Sequence, residues 1–206
     1  MMLSIAGVYH FDPTGRERLK RHLEELSSSM KDRPMFIAVE WDSGLFAQVK
    51  EQRSKFRELA QEQWPTAGSD LMAILELSLG YEADTHSEVF PSSPVLWLDQ
   101  GRQANVQTYA QQRLNVYRSF LETDNLPLNT ETALAMFSEE ARKRAQNLTE
   151  STPRDATFAS LINEKAIQSQ GRWAIVIVGT SHASANPGSM RKLLEDQGYS
   201  CKVEVC

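Results

Sequence analysis

Cysteine is almost missing from this chain: Cys201 and Cys206 are the only two, both close to the end of the sequence given. A disulfide scaffold is excluded by number alone. Their odd separation puts them on opposite faces of a shared strand, where they do not bridge easily. Reduced thiols suit a cytoplasmic location. Long apolar runs are also lacking: nothing approaches the roughly 18 residues of a membrane-spanning helix. The first residues show no basic region followed by an apolar core, so no secretory signal is expected. Positive charge is in deficit, with 22 Lys and Arg against 27 Asp and Glu and a net charge of −5. A general nucleic-acid binder carries a basic face, so neither nucleic acid nor membrane is expected as a partner. The basic clusters Lys31 to Arg33 and Arg142 to Arg144 are bracketed by acids or amides and read as solvated helix ends. No lysine-bearing glycine loop of the phosphate-binding kind occurs.

What is present suits one soluble α/β domain of 206 residues, 41% of them hydrophobic. Leu3 to Tyr9 reads as a first strand. Thr14-x-x-Glu17 has the form of a capping box opening a helix to about Met30, with Leu19, Leu23 and Leu26 on its inner face. Met35 to Val39 is a continuous apolar run of the kind buried on both faces of a parallel sheet. A helix follows from Ser43 to Trp64, with Leu45, Val49, Phe56 and Leu59 as its stripe, and another from Asp70 to a stop at Gly80. Tyr81 to Pro94, acidic and proline-bearing, reads as an exposed loop long enough to be a lid. Val95 to Leu98 makes a third strand. Helices are expected over Gln103 to Glu122, Asn129 to Leu148 and, with Pro153 at its first position, to about Gln170. Trp173 to Val178 is the most strand-like segment. Asn186-Pro187 caps a final helix that ends at Gly198, and Tyr199 to Val205 closes the chain as a strand. Strands alternating with helices predict a largely parallel central sheet with helices on both faces.

The tetrad Gly-x-x-His occurs twice, each time after an apolar strand: Gly7-Val8-Tyr9-His10 and Gly179-Thr180-Ser181-His182. In an open α/β sheet, side chains at the carboxyl ends of the strands gather at one edge, where such sheets build their sites. That edge would hold His10 with Asp12, Glu40 with Asp42, Asp99, and His182. Two imidazoles and a carboxylate suit Zn²⁺, Mn²⁺ or Co²⁺ with a position open for water, which the metal would acidify. Without a metal, the same set supplies a histidine base and a glutamate that orients water. Of the other histidines, His22 reads as solvent-facing and His86 as an ordinary loop residue. Trp41, Trp97 and Trp173 read as core.

These residues, in this order, resemble the superfamily that contains TraB-like proteins, Tiki-type proteases, haem-binding ChaN proteins and erythromycin esterases. Its members carry Gly-x-x-His after the first strand, a glutamate at the end of the second, and another Gly-x-x-His after a late strand. Gly7 with His10, Glu40, and Gly179 with His182 match. Arg154-Asp155 is similar to the Arg-Asn or Arg-Asp pair that opens the family's preceding helix. The esterases have Gly-Glu-x-His at the first site, whereas Val8 stands here, which brings the chain nearer the TraB and Tiki pattern.

The resemblance implies a metal-dependent hydrolase of an amide, ester or similar bond in a small molecule or peptide. His10, Glu40 and His182 would hold the metal, with Asp12 or Asp99 completing the shell or orienting a histidine. Arg154 would pair with Asp155 or Glu40, or face a developing oxyanion. Three alternatives stand beside it. One is a metal-free histidine-base hydrolase. Another is a haem or small-ligand binder using Tyr9 and His10 as axial ligands. The third is a non-catalytic interaction protein that presents the helices of Gln103 to Leu148. Oligomeric state is left open.

Overall fold

The computed structural model describes residues 1–101, 105–121, 129–146, 152–169 and 172–206. Its strands are β1 (Met2–Val8), β2 (Ile37–Val39), β3 (Val95–Trp97), β4 (Trp173–Gly179) and β5 (Ser200–Val205). They form one parallel sheet in the order β3-β2-β4-β1-β5. The helices among the described residues are α1 (Gly15–Ser29), α2 (Ser43–Gln63), α3 (Ser69–Leu77), α4 (Tyr81–Val89), α5 (Tyr109–Ser119), α6 (Thr130–Gln146), α7 (Pro153–Ser169) and α8 (Met190–Asp196). A short 3₁₀ turn, Val106–Thr108, leads into α5. No helix among them is long and apolar enough to cross a membrane.

The apolar runs of β1 and β4 are explained by burial on both faces. Leu3, Ile5, Ala174, Val176 and Val178 face α7 and α8, where Phe158, Ile162, Met190 and Leu194 meet them. Ala6, Val8, Ile175 and Ile177 face the opposite way, toward Leu19 and Leu23 of α1 and Tyr81 of α4. The sheet is therefore covered by helices on both sides, as the alternation of elements predicts. In the central pair, Gly7 lies beside Val178 and Val8 beside Gly179. The two Gly-x-x-His segments thus leave the sheet at the same level.

A second apolar core has no strand in it. Phe56 of α2 and Trp64 just past its end, Leu71 and Leu75 of α3, Leu114 and Tyr117 of α5, and Phe137 of α6 close on one another. These side chains pack on one another and not on the sheet. Gln103, Glu122, Leu148 and Gln170, expected as helix bounds, lie outside the described residues, as does Arg102.

Other expectations need correction. The segment read as a lid is the helix α4, and Tyr81, Glu82 and His86 within it are buried. Gly80, at φ 63°, supplies the left-handed residue that turns the chain from α3 into it. Acidic composition suggested solvent, but Glu82 is matched inside the protein by a histidine. Tyr81 reaches the carbonyl of Tyr9 with its hydroxyl and sits where a side chain on Gly15 would have to be. The Thr14 capping box does not form, because the Thr14 hydroxyl donates to Asp12. Ser189, beyond Asn186-Pro187, caps α8 by accepting from the Lys192 amide. His22 is half-buried, 3.5 Å from the Ser4 hydroxyl. Trp41 and Trp173 are buried, as expected of core residues, and Cys201 and Cys206 are free thiols.

Because α4 is packed and not a mobile cover, Tyr81→Ala is expected to destabilise the protein by about 3–5 kcal/mol, the range for losing a buried aromatic. Urea unfolding with an unchanged slope measures it; a midpoint equal to that of the parent protein would return this segment to the status of a loosely attached lid.

Candidate functional site

Glu40 follows β2 directly, and its amide still donates to Ile177 of β4, which sets the residue beside the end of that strand. Its carboxylate is buried, and four groups converge on it. On Oε2 are the amide of Gly179, at 2.6 Å, and Nε2 of His10, at 3.5 Å. On Oε1 are the Arg154 guanidinium, at 2.8 Å, and Nε2 of His182, at 3.4 Å. Each imidazole is steered from behind by its own carboxylate. The His10 Nδ1–H donates to Glu82 and the His182 Nδ1–H to Asp155, both at 2.9 Å. Asp155 is itself fixed by the amides of Thr152 and Met190. Arg154 also donates to Asp99, at 2.9 Å.

The glycines of the two tetrads have a shared steric task. A Cβ on Gly179 would stand 2.6 Å from Nε2 of His10 and 3.3 Å from Oε2 of Glu40. A Cβ on Gly7 would meet Ala183, one residue past His182, at 3.1 Å. Each glycine therefore makes room for the opposite tetrad's loop.

Glu40 together with Glu82 flanks His10, and Glu40 together with Asp155 flanks His182; this negative charge holds protons on the imidazoles. Burial works to lower the pKa of His10, but Glu40 and Glu82 outweigh it and raise it to about 10. His182 is likewise raised by Glu40 and Asp155 against its burial. Burial alone would push Glu40 up; the two imidazoles instead hold it well below the usual carboxylate range. The Glu40 carboxylate thus lies between two imidazoles whose affinity for protons is raised. They differ in access: the His10 side chain is 37% exposed and that of His182 only 4%.

His10, Glu40 and Arg154 open onto a cleft of about 350 Å³. Its other walls are Phe11, Trp41, Leu45, Tyr109 and Val116, with Glu82, Gln112 and Arg113. The buried Arg113 donates to the carbonyls of His10 and Ser78 and lies 4.6 Å over the Phe11 ring, which ties the helical core to the end of β1.

The structure brings together His10, Glu40, His182, Arg154 and Asp99. It does not bring in Asp12, which is fully buried and accepts hydrogen bonds from Thr14, Ser138 and Arg18. Nor is Tyr9 among the residues that line the cleft. Arg154 pairs with Glu40 and Asp99, leaving Asp155 to His182. Glu82 was missed because it lies in the segment read as a loop, and no local pattern marks it as a partner of His10. Asp155 carried the signal of the Arg-Asp pair, but its partner lies 27 positions away. Asp42 caps α2 through the Leu45 amide and faces no imidazole.

The donor chemistry for a divalent metal is present: two Nε2 atoms, a carboxylate, and outer carboxylates on Nδ1. The placement does not match it. The imidazoles approach different oxygens of Glu40, both oxygens already accept strong donors, and among the described residues no three His, Cys, Asp or Glu are set to hold an ion. Haem fits no better, since both His10 ring nitrogens face carboxylates.

Comparison with models of known families, with curated proteins and with solved structures finds no match for the chain. The resemblance to the TraB and Tiki group rests on the residues themselves.

Two outcomes follow from the geometry. Gly179→Ala is expected to cost about 1–3 kcal/mol through overpacking and to displace His10, which a shift of its imidazole NMR resonances would register. The second concerns pH. Glu40 is lowered, so its contribution is present above about pH 4.5 and lost as pH falls through its folded value. His10 is raised, so its contribution is present below about 6.5 and lost as pH climbs toward about 10. The stability difference between the parent protein and Glu40→Gln should therefore peak near pH 4.5–6.5 and shrink on both sides. A difference that is flat from acid to alkaline pH would contradict this arrangement.

Proposed function

We propose that this chain is a hydrolase of an amide, ester or similar bond in a small molecule or peptide, working through Glu40 and His10 as a proton-relaying pair. The observation that carries this reading is the single buried carboxylate met on its two oxygens by imidazoles, each aimed from behind by a separate carboxylate, with His10 open to a largely apolar cleft. Groups so positioned and so strongly shifted are what acid–base chemistry uses.

In this reading the acyl group of the substrate lies in the cleft and a water lies beside Glu40. The water oxygen attacks the carbonyl carbon while one of its protons passes to Glu40. Negative charge develops on the carbonyl oxygen and is stabilised by Arg154 and the His10 imidazolium, the cations of the cleft beside Glu40. As the carbon–nitrogen or carbon–oxygen bond breaks, Nε2 of His10 gives its proton to the departing atom. The proton on Glu40 then crosses to the neutral His10, restoring the starting state. Glu40 is a poor resting place for a proton between two imidazoles, so it relays and does not store. His182, enclosed and tied to Asp155, is a positioning residue that keeps the carboxylate ionised and oriented.

The test is hydrolysis of a panel of carboxylic esters, anilides and short peptides, with metal content measured on the same preparations. Turnover should survive chelation, and kcat should fall roughly 10²–10⁴-fold in Glu40→Gln and in His10→Ala. The alkaline limb of the rate profile should lie near the raised value of His10, about 10. Stoichiometric Mn²⁺, Co²⁺ or Zn²⁺ that activity requires and that is lost in His10→Ala would replace this reading with a metal-dependent one. Turnover unaffected by Glu40→Gln would sink both.

A further inference from the structure

The strand β5 closes one side of the sheet and, among the described residues, pairs with β1 alone. Ser200 and Cys206 donate their amides inward, to the carbonyls of Met1 and Gly7. Backbone groups alternate in direction along a strand. Lys202 and Glu204 therefore also turn theirs toward β1, while Cys201, Val203 and Val205 direct their N–H and C=O groups to the free edge. Side chains alternate as well, which sets Lys202 and Glu204, both exposed, together on one face. Proteins usually blunt an open edge with proline, a bulge or charged side chains, lysine above all, and the charges here, Lys202 and Glu204, are of opposite sign. This one has no proline, its register with β1 runs unbroken from Ser200 to Val205, and Val205 is 50% exposed.

We propose that β5 pairs antiparallel with β5 of a second copy of this chain, about a two-fold axis at Val203, joining the two sheets into one. In that register Val203 faces Val203 of the partner subunit and Cys201 faces Val205 of the partner subunit. Every outward N–H and C=O of the three residues then finds a partner. Lys202 falls opposite Glu204 of the partner subunit at a non-hydrogen-bonded position, where cross-strand side chains come closest, with Cα atoms about 4.5 Å apart. The symmetry repeats this ion pair. Moving the axis to Lys202 would oppose lysine to lysine, and moving it to Glu204 would oppose glutamate to glutamate. Charge thus favours the axis at Val203, the arrangement that forms ion pairs, over its two neighbours, and the partner is a copy of the same strand because the strand is complementary to itself.

Sedimentation equilibrium over a concentration series tests this directly. The parent protein should show a monomer–dimer equilibrium. Lys202→Glu and Glu204→Lys should each raise the dissociation constant roughly tenfold or more, since each replaces two attractive pairs by two repulsive ones. The double variant, with the charges exchanged, should restore it. A readout on the unaltered protein accompanies these: the amides of Cys201, Val203 and Val205 should exchange with deuterium slowly at high concentration and faster on dilution. A parent protein that remains monomeric with these amides exchanging freely overturns the proposal. So does a dimer that both single variants leave intact, or one that the double variant fails to recover.

Discussion

The burial of the Glu40 carboxylate is the constraint on which the rest of the structure turns. A charged group removed from water must be paired and hydrogen-bonded, and losing one partner of such a pair costs about 3–5 kcal/mol. Here the compensation comes from four separate places: the amide of Gly179, Arg154 at the start of α7, and the imidazoles that follow β1 and β4. Three strand ends and a helix are thereby held to one point. The charge spreads outward in a second layer, as Glu82 and Asp155 fix the far nitrogens of the imidazoles. A change anywhere in this set alters the proton affinity of the others.

The doubled tetrad acquires a physical meaning from that arrangement. The glycines do not serve turns of their own so much as they clear space for each other's histidine loops, because β1 and β4 are neighbours in register. Gly179 does this most tightly and also supplies the amide that the carboxylate accepts. Such a close approach is available to a residue without a side chain and to no other.

The helical core formed by α2, α3, α5 and α6 supplies the apolar side of the cleft, and Arg113 fastens it to the carbonyl of His10. Sheet and helices therefore divide the work. Strand ends bring the ionisable groups, while Leu45, Tyr109 and Val116 bring an apolar wall to the cleft.

Much of the fold was legible in the sequence because periodicity and apolar runs report burial locally. The runs in β1, β2 and β4 and the proline opening α7 follow from neighbouring residues, and the parallel sheet follows from the alternation of strands and helices. His10, Glu40 and His182 could be named as companions because each ends a strand. Glu82 could not, since its polarity read as exposure and its partner lies 72 positions earlier. Asp12 misled for the complementary reason: it sits two residues after His10, yet Thr14, Arg18 and Ser138 take up its carboxylate. The sequence by itself determined the apolar strands, most of the helices between them, and which ionisable groups stand at strand ends. Only the tertiary structure decided which carboxylate backs which imidazole, and that α4 is packed and not a lid. Those outcomes depend on the balance of desolvation against pairing among groups far apart in the chain, and that balance exists only once the sheet has brought them together.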